Sequence, residues 1–264
     1  MSAFKDGLMD GKSVFVAGGT SGINLGIAKR FAELGAKLAV VGRNPEKAQN
    51  AAAQIGHGAL GLSADVRDFA AIRAAMAQAA EANGAFDTVV SGAAGNFLAP
   101  ALGMSANAFR TVVDIDLNGT FNVFRGCHDL LAPNASLIAI TAGQAVNASP
   151  LQIHACAAKA GVNQLVRVLA MEWGPDVRVN GISPGPIAGT EGMARLAPGA
   201  EGRGAHYERI AMKRWGEIEE VAECAIFLSS PSAAYITGTI LDCDGGSQLG
   251  DATRRDPTRG MAPA

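Results

Sequence analysis

Nine consecutive residues, from Gly18 to Gly26, combine four glycines with small hydroxyl side chains. They lie between a short apolar run, Val14–Ala17, and an amphipathic stretch, Ile23–Leu34, which predicts a turn between a strand and a helix. Glycines there let the backbone approach a pyrophosphate, whose charge is stabilised by the helix N-terminus. In the first strand-to-helix turn, such a cluster indicates a dinucleotide site. The predicted contacts are Gly18, Thr20, Ser21, Gly22, Ile23 and Asn24.

The end of the second predicted strand indicates which dinucleotide binds. Strand Leu38–Val41 is followed by Gly42 and Arg43, where an acidic residue would hold the two ribose hydroxyls of NAD. Gly42 supplies no carboxylate and the Arg43 guanidinium suits a 2′-phosphate, so the sequence favours NADP(H). Asp65, after the third predicted strand, either accepts from the adenine amino group or is an ordinary helix-leading residue, and both interpretations stay open.

The rest of the chain alternates strand-length and helix-length segments. The predicted strands are Val14–Ala17, Leu38–Val41, Leu60–Leu62, Thr88–Val90, Leu137–Thr141, Val177–Ile182 and Thr239–Cys243. Predicted helices start at the caps Asn44, Asp68 and Ser105, and include Ser105–Leu131, Leu151–Trp173 and Ile218–Leu228. This alternation predicts one α/β domain over 1–264, a Rossmann-type doubly wound parallel sheet of about seven strands with helices on both faces.

Two segments break the alternation. Residues 187–214 are glycine-rich and basic and follow the carboxyl end of a predicted strand, which predicts a substrate lid. Residues 251–264 are polar and contain proline, which predicts a loosely ordered tail.

Composition argues against several classes of function. Of 264 residues, 48% are hydrophobic and 17% charged, which is typical of globular proteins. The net charge of −2 supports neither a nucleic-acid nor a membrane partner, and no apolar run could span a bilayer. The four cysteines show no metal-ligand spacing, so we expect no metal and free thiols in a reducing compartment. With neither a signal-peptide pattern nor a terminal Ser-Lys-Leu, we expect a cytoplasmic protein.

Several further segments carry a family pattern. They are Asp65-Val66, Ala93-Ala94-Gly95, Asp116-Leu117-Asn118-Gly119, Lys159, Pro184-Gly185-Pro186-Ile187 and Thr190. Together with the glycine turn, they resemble the short-chain dehydrogenase/reductase family over nearly the whole chain. Longer runs resemble its 2,4-dienoyl-CoA reductase branch, especially the peroxisomal type: Ala93–Leu98, Asn107–Phe109, Asp114–Asp116, Glu172–Pro175 and Pro184–Gly192 with Arg195.

The resemblance implies roles for the matched residues. Lys159 holds the nicotinamide ribose and lowers nearby proton affinities. Further cofactor contacts are implied for Asp65, Val66, Ala93, Gly95, Pro184, Gly185, Pro186, Ile187 and Thr190. An acyl-CoA site is implied for Arg67, Phe97, Ser105, Asn107 and Arg195. The resemblance also implies a homotetramer that pairs through the helices Ser105–Leu131 and Leu151–Trp173.

The proton-transfer residues depart from the family pattern. The usual tyrosine, four residues before Lys159, is replaced by Ala155, and the usual serine by Ala142. Asp116 replaces the usual helix asparagine, and Asn24 replaces the third glycine of the turn. Without the tyrosine, carbonyl–alcohol chemistry loses its proton donor. The 2,4-dienoyl-CoA reductases also lack it.

This pattern favours NADPH-dependent reduction of 2,4-dienoyl-CoA, or a related unsaturated acyl thioester, to 3-enoyl-CoA in fatty-acid degradation. Hydride would reach the δ-carbon, and a water held by Asp116 would protonate carbon 2. Asp244 matches an acidic position that assists catalysis in the peroxisomal branch, although Asp-Gly-Gly is also a common structural turn. Two alternatives remain: reduction of another carbonyl or 3-oxoacyl substrate, with Tyr207 moving in from the lid, and a catalytically silent NADP(H)-binding scaffold or sensor.

Overall fold

Seven parallel strands form one sheet in the computed structural model, which describes residues 4–190, 193 and 207–254. The strands are β1 (Ser13–Ala17), β2 (Lys37–Gly42), β3 (Leu60–Ser63), β4 (Phe86–Ser91), β5 (Leu131–Ile140), β6 (Val177–Pro184) and β7 (Ile240–Cys243). Their order across the sheet is β3-β2-β1-β4-β5-β6-β7, so β1 pairs with β2 on one side and β4 on the other. The predicted Rossmann-type sheet is confirmed, and its switch point between β1 and β4 is where ligands bind in such folds.

Helices cover both faces of the sheet. They are α1 (Gly22–Glu33), α2 (Pro45–Ile55), α3 (Phe69–Asn83), α4 (Ala106–Val113), α5 (Gly119–Cys127), α6 (Ile153–Trp173) and α7 (Ile218–Ser229). Alternate residues of a strand face opposite sides. Phe15 therefore packs in a core with α3, α5 and α6, while Val14 and Val16 pack in a second core with α1, α2 and α7. None of the described helices is long and apolar enough to cross a membrane.

The three predicted helix caps are confirmed. Asn44 Oδ1 accepts from the backbone N–H of Lys47 at 2.9 Å, which starts α2. Asp68 Oδ1 accepts from Ala71 N at 3.0 Å at the start of α3. Ser105 Oγ accepts from Ala108 N at 3.1 Å at the start of α4. Each cap satisfies a backbone donor that has no partner within its own helix.

The predicted helix from Ser105 to Leu131 differs from the structure in two ways. A π turn at Asp114–Asn118 separates α4 from α5. The prediction of its end is wrong, because α5 ends at Cys127 and Leu131 already belongs to β5. A 3-10 turn at His128–Leu130 follows α5, and Leu131 has extended backbone with φ −78° and ψ 142°. Pro133, two residues further on, lacks the N–H that a continued helix would need.

The start of the next predicted helix also differs. Leu151 was expected to begin it, but α6 begins at Ile153. Leu151 has a φ of 68°, which lies outside the right-handed helical region, so the helix cannot include it.

The predicted lid, 187–214, is described only in part. Its first residues form a bridge between Ile187 and Gly216, and Thr190 Oγ1 donates to Ile187 O at 2.9 Å. Three of its described side chains, Met193, Tyr207 and Ile210, pack with Trp215 in a small separate cluster, while Ile187 packs in the core with α1 and α7. Residues 191–192 and 194–206, including Arg195, lie outside the described residues. So does most of the predicted tail, of which Ala252–Arg254 forms a 3-10 turn.

An ion pair joins the end of the lid segment to α7. Arg214 Nη2 donates to Glu220 Oε1 at 2.6 Å, and Glu220 Oε2 accepts from the backbone of Glu217 at 2.8 Å. The Arg214 hydrogen bonds, followed by the backbone contact, lower the pKa of Glu220 to about 2.

We expect Glu220→Gln to cause a small loss of stability at neutral pH. A depressed carboxyl pKa contributes stability that is fully present above the ordinary value of 4.5 and lost as the pH falls through about 2. Urea unfolding of both proteins should therefore show a stability difference that shrinks between those pH values. Glu219→Gln, on the exposed neighbouring residue, is the control; a difference independent of pH would contradict this role.

Candidate active site

A cavity of about 770 Å³ opens at the carboxyl edge of the sheet. Its lining includes Gly92 after β4, Thr141 after β5 and Pro184 at the end of β6. Many of the residues predicted from sequence line it: Gly22, Ile23, Asn24, Gly95, Asp116, Lys159, Pro184, Gly185, Pro186, Ile187 and Thr190. The fold thus gathers residues from distant segments at the topological switch point.

Of the other predicted site residues, those that the structure describes do not line this cavity. The remaining cofactor candidates follow the ends of strands beside it: Gly18, Thr20, Ser21, Arg43, Asp65, Val66 and Ala93. The described substrate candidates outside the lining are Arg67, Phe97, Ser105 and Asn107, and the catalytic candidate is Asp244.

The glycine turn brings two loops into close contact. Gly18 has a φ of 78°, and a Cβ built there would lie 2.6 Å from Ala93 N. Gly22 has a φ of 56° and faces open space. The helix cap at Ser21 makes no side-chain hydrogen bond, so it leaves the first-turn N–H groups of α1 without a side-chain acceptor. This bare helix terminus suits a pyrophosphate.

Asn24, which replaces the family's glycine, ties the two loops together. Its Nδ2 donates to Gly92 O at 2.8 Å and, less closely, to Gly18 O at 3.4 Å. Its Oδ1 is buried and has no hydrogen-bond partner in the part of the chain that the structure describes. A buried acceptor at the cavity wall needs a donor, since leaving it unpaired is costly. The bare α1 terminus and this acceptor together fit a dinucleotide with hydroxyl and amide donors.

The end of β2 has a glycine where NAD-binding proteins have a carboxylate, and an arginine follows it. A Cβ on Gly42 would lie 2.6 Å from Thr20 Cγ2, so a side chain there would require the Thr20 side chain to move. The exposed Arg43 guanidinium makes no hydrogen bond or ion pair with any described residue. It is therefore free to bind an anion next to the predicted adenosine ribose position.

Asp65 already has a strong partner. Arg67 Nη2 donates to Asp65 Oδ2 at 2.6 Å, and Arg67 Nε donates to Oδ1 at 3.0 Å. This paired guanidinium lowers the pKa of Asp65. Both side chains, predicted separately for adenine and for acyl-CoA, are thus bound to each other. Val66 is buried, and its carbonyl accepts from Asn122 Nδ2 at 2.8 Å.

Asp116 and Lys159 form a buried ion pair at the cavity. Asp116 is 1% exposed; its Oδ2 lies 3.3 Å from Lys159 Nζ, and its Oδ1 accepts from Gly95 N at 2.7 Å. Lys159 Nζ also donates to Ile140 O at 3.0 Å. An ammonium has three N–H groups, so one remains for the nicotinamide ribose or a water.

The π turn supports Asp116 from its backbone. Thr120 Oγ1 donates to Asp116 O at 2.7 Å, and Ser91 Oγ at the end of β4 donates to Thr120 Oγ1 at 3.2 Å. π turns relieve the regular hydrogen-bond ladder and occur often at functional sites. Here the turn presents a carboxylate to the cavity from inside a helix.

The cavity wall is apolar where the family has its serine and tyrosine. Ala142 and Ala155 both line the cavity, and neither side chain can donate a proton. The nearby hydroxyl of Thr141 donates to Asn163 Oδ1 at 2.7 Å, inside the protein. No side chain at the two family positions can therefore serve as the acid for an alkoxide.

The two tyrosines of the chain do not replace the missing acid. The Tyr207 ring packs edge-on against Trp215 with centroids 5.3 Å apart, and it does not line the cavity. Tyr235 is fully exposed between α7 and β7. The structure gives no support to the movement of Tyr207 into the site that reduction of another carbonyl or 3-oxoacyl substrate would require.

Asp244 is engaged by its own turn. Its Oδ1 accepts from Gly246 N at 2.8 Å, and its Oδ2 accepts from Ser247 Oγ at 3.1 Å and Gln248 N at 2.8 Å. Both oxygens thus hold the turn after β7. This geometry favours the structural interpretation of the Asp-Gly-Gly segment over proton transfer.

The segment after β6 is held against the turn after β7. Gly185 N donates to Cys243 O at 3.0 Å, and a Cβ on Gly185 would lie 2.5 Å from Asp244 Cα. Thr190 Oγ1 is fixed by Ile187 O. The segment therefore presents backbone groups and the Thr190 side chain to the cavity in a fixed position.

The substrate candidates lie towards the surface. Phe97 is 40% exposed, and its ring packs edge-on against His154 with centroids 4.3 Å apart. Ser105 is used as the cap of α4, and Asn107 is exposed on that helix. Phe97, Ser105 and Asn107 are thus exposed and lie outside the cavity lining.

Sequence reasoning missed four carboxamides in the cavity wall, Asn96, Gln144, Asn147 and Gln248, of which the first two matter here. Asn96 follows β4 and Gln144 follows β5, and both line the cavity. Asn96 lies inside the matched run Ala93–Leu98, and a polar side chain just beyond a parallel strand was the available signal. No group of three or more His, Cys, Asp or Glu side chains among the described residues is arranged to hold a metal.

A family model described as Enoyl-(Acyl carrier protein) reductase matches residues 17–248. The peroxisomal 2,4-dienoyl-CoA reductase [(3E)-enoyl-CoA-producing] of Rattus norvegicus is 41% identical over 249 residues, covering 92% of this chain and 85% of that protein. A probable 2,4-dienoyl-CoA reductase [(2E)-enoyl-CoA-producing] of Bacillus subtilis is 36% identical over 250 residues, covering 91% and 98%.

A solved structure agrees with these relatives. A short chain dehydrogenase from Bacillus anthracis has a TM-score of 0.80 and 36% identity, covering 90% of this chain and 97% of its own. The resemblance predicted from the sequence segments is therefore confirmed. The chain belongs to the short-chain dehydrogenase/reductase family, whose members are oxidoreductases that use a nicotinamide cofactor.

Proposed function

We propose that this protein reduces 2,4-dienoyl-CoA, or a related unsaturated acyl thioester, to 3-enoyl-CoA with NADPH in fatty-acid degradation. One observation carries the proposal. The Asp116–Lys159 pair lies in the cavity, while Ala142 and Ala155 occupy the wall where an alcohol-forming enzyme needs hydroxyl groups. The names of the relatives in rat and Bacillus subtilis support the same substrate class.

A conjugated thioester needs no acid at its oxygen. Reduction at the δ-carbon spreads negative charge over carbons 2 and 4 and the thioester oxygen. The product forms when a carbon, not the oxygen, takes a proton. A site without a tyrosine therefore suits this substrate better than a ketone, whose alkoxide must be protonated.

The chain's residues would hold the cofactor at both ends. The α1 terminus at Gly22 binds the pyrophosphate, Lys159 Nζ binds the nicotinamide ribose, and the backbone from Pro184 to Ile187 binds the carboxamide. When bound there, the cofactor supplies the hydride for the δ-carbon. The fixed segment after β6 would hold the carboxamide end of the cofactor through its backbone groups.

Asp116 would deliver the proton through water. Its Oδ2 is near a single described donor, Lys159 Nζ, so the oxygen keeps an acceptor site for a water, and Asp116 lines the cavity. A water held there donates a proton to carbon 2, and solvent replaces it. Lys159 Nζ, 3.3 Å from Oδ2, holds the carboxylate in position. The overall reaction consumes one hydride and one solvent proton.

For the cofactor, we propose NADP(H) over NAD(H) because Arg43 is unpaired and Gly42 has no carboxylate. We expect Arg43→Ala to raise the KM for NADPH about 10- to 100-fold, the cost of one charge-assisted contact, and to leave the KM for NADH unchanged. Lys37→Ala, at the opposite end of β2, is the control. Equal effects on both cofactors would contradict the preference.

The reaction is tested by following NADPH consumption with two thioesters. Purified protein should oxidise NADPH with a 2,4-dienoyl-CoA and show little activity with a 3-oxoacyl-CoA. Turnover of the 3-oxoacyl substrate alone, abolished by Tyr207→Phe, would favour the carbonyl reductase. Absence of turnover, with bound NADP+ but no thermal stabilisation by any acyl-CoA, would favour the silent scaffold.

We also propose a homotetramer in the cytoplasm. Large apolar side chains on α5 and α6 are exposed, among them Phe121 at 48% and Met171 at 85%, and such patches typify association surfaces. The four cysteines are free thiols, which suits a reducing compartment. Light scattering, with Met171→Glu as the disrupting variant, tests the assembly, and cell fractionation tests the location.

A further inference from the structure

Three carboxamides meet beside the apolar wall of the cavity. Gln152 Oε1 accepts from Asn96 Nδ2 at 2.6 Å and from Gln144 Nε2 at 3.4 Å. Asn96 follows β4, Gln144 follows β5, and Gln152 precedes α6, so three separate segments build this carboxamide cluster. Asn96 and Gln144 line the cavity, while Gln152 is 7% exposed behind them.

The cluster has unused donors. A primary amide carries two N–H groups, and the structure shows a single hydrogen bond from each of Asn96 and Gln144 within the described residues. Gln152 Oε1 has both lone pairs occupied, which fixes the orientation of its two donors. Asn96 and Gln144 thus each have one N–H group left for a ligand. An N–H group is a donor, so the ligand atom that it binds must be an acceptor.

The position of the cluster gives these donors a specific neighbour. Gln144 lies two residues after Ala142, and Gln152 lies three residues before Ala155, the positions that lack the family's hydroxyl groups. In an alcohol-forming site, the serine and tyrosine hydroxyl groups at these two positions would hold the substrate oxygen. Here both positions are alanine. Neutral amide N–H groups stand beside them instead.

We propose that Asn96 and Gln144 bind the carbonyl oxygen of the acyl thioester, with Gln152 as their positioning residue. This rests on the proposed reduction of a 2,4-dienoyl-CoA. As negative charge moves onto that oxygen, each hydrogen bond that it accepts from an amide N–H group strengthens. The cluster therefore stabilises the dienolate more than the substrate.

Amide donors also direct the proton. An amide N–H is far too weak an acid to transfer its proton to an enolate, unlike a tyrosine hydroxyl. The oxygen therefore keeps its charge until carbon 2 takes a proton from water. The new C–H bond forms at carbon 2, the double bond moves to carbons 3 and 4, and the thioester carbonyl is restored.

The test uses a complex in which no reduction occurs. With NADP+ in place of NADPH, a 2,4-dienoyl-CoA labelled with carbon-13 at its carbonyl stays intact, and infrared difference spectra report hydrogen bonding to that carbonyl. We expect a clear shift to lower frequency on binding. Asn96→Ala and Gln144→Ala should each reduce the shift and lower kcat about 10²-fold, as when one oxyanion donor is removed, with unchanged NADPH affinity.

Two further variants separate the roles. Gln152→Met, which keeps the side-chain volume but loses the acceptor, should also reduce the shift, because its partners lose their orientation. Gln78→Ala removes an exposed carboxamide on α3, outside the cavity, and should change neither readout. Asn96 is exposed and Gln144 is half-buried, so we expect the alanine variants at these two positions to fold. They test the proposal even if the variant of the buried Gln152 does not fold.

The outcomes separate this proposal from the proposed function. If the native protein reduces the dienoyl-CoA but Asn96→Ala and Gln144→Ala keep kcat and the full carbonyl shift, the cluster proposal is overturned while the function stands. If the native protein neither binds nor reduces the dienoyl-CoA, both are overturned.

Discussion

Asp116→Asn should lower kcat for 2,4-dienoyl-CoA reduction by about 10²–10⁴-fold, the usual contribution of a general acid or base, while NADPH affinity changes little. The asparagine can still accept from Gly95 N through its Oδ1, so the π turn keeps its contact. What is lost is the charged oxygen that would hold the proton-donating water. Stopped-flow NADPH oxidation and fluorescence titration of NADPH measure the two quantities separately.

A matched carboxylate lies on the same turn. Asp114 Oδ1 accepts from Asn118 Nδ2 at 2.8 Å and does not line the cavity. Asp114→Asn should therefore retain nearly native kcat. Equal kcat in native protein and in Asp116→Asn would remove Asp116 from the proton path.

Lys159→Met should destabilise the protein by about 3–5 kcal/mol, because it leaves the buried Asp116 carboxylate without its partner. The side chains of Lys159 and Asp116 are only 10% and 1% exposed, so solvent does little to screen the pair. The variant should also lose most of its NADPH affinity, since the ammonium is the predicted contact to the nicotinamide ribose. Urea unfolding and NADPH titration provide the measurements.

The double variant Lys159→Met with Asp116→Asn supplies the control. If the two charges are coupled, the double variant should be more stable than Lys159→Met alone, because no unpaired charge remains buried. A strictly additive loss of stability would show that the charges do not interact. NADPH affinity should stay low in both, because the ammonium is absent from each.

Local chemistry made much of the fold predictable. The caps at Asn44, Asp68 and Ser105 depend on hydrogen bonds to residues three positions away, so their sequence signal is complete. Strands such as β1 and β4 are short runs rich in β-branched residues and almost wholly buried, which is typical of a parallel sheet covered on both faces. The π turn at Asp114–Asn118 was not predictable, because its helix-like sequence carries no mark of the altered hydrogen bonding.

Many residues of the candidate site could be predicted from the sequence, but the contacts between them could not. Lys159 and Asp116 were each singled out, but their pairing depends on how β4, β5 and α6 pack. The carboxamide cluster is likewise assembled from three loops. Asp244 differs, because its carboxylate bonds within its own turn. Sequence reasoning named this structural role as the alternative to a catalytic one.

The two relatives are named for different products, which raises the question of which carbon is protonated. The rat relative is named for a (3E)-enoyl-CoA product and the Bacillus subtilis relative for a (2E)-enoyl-CoA product. The two products differ in whether carbon 2 or carbon 4 takes the proton. Because Ala155 removes the tyrosine and Asp116 supplies the water, protonation at carbon 2 is the outcome proposed for this chain.

Product analysis in deuterated water tests the proposed reaction most directly. The native protein is incubated with NADPH and a 2,4-dienoyl-CoA in D₂O, and the product is identified by NMR. The mechanism predicts a 3-enoyl-CoA with one solvent deuterium at carbon 2 and none at carbon 5. A 2-enoyl-CoA with deuterium at carbon 4, or an unchanged dienoyl-CoA in the presence of bound cofactor, would contradict it.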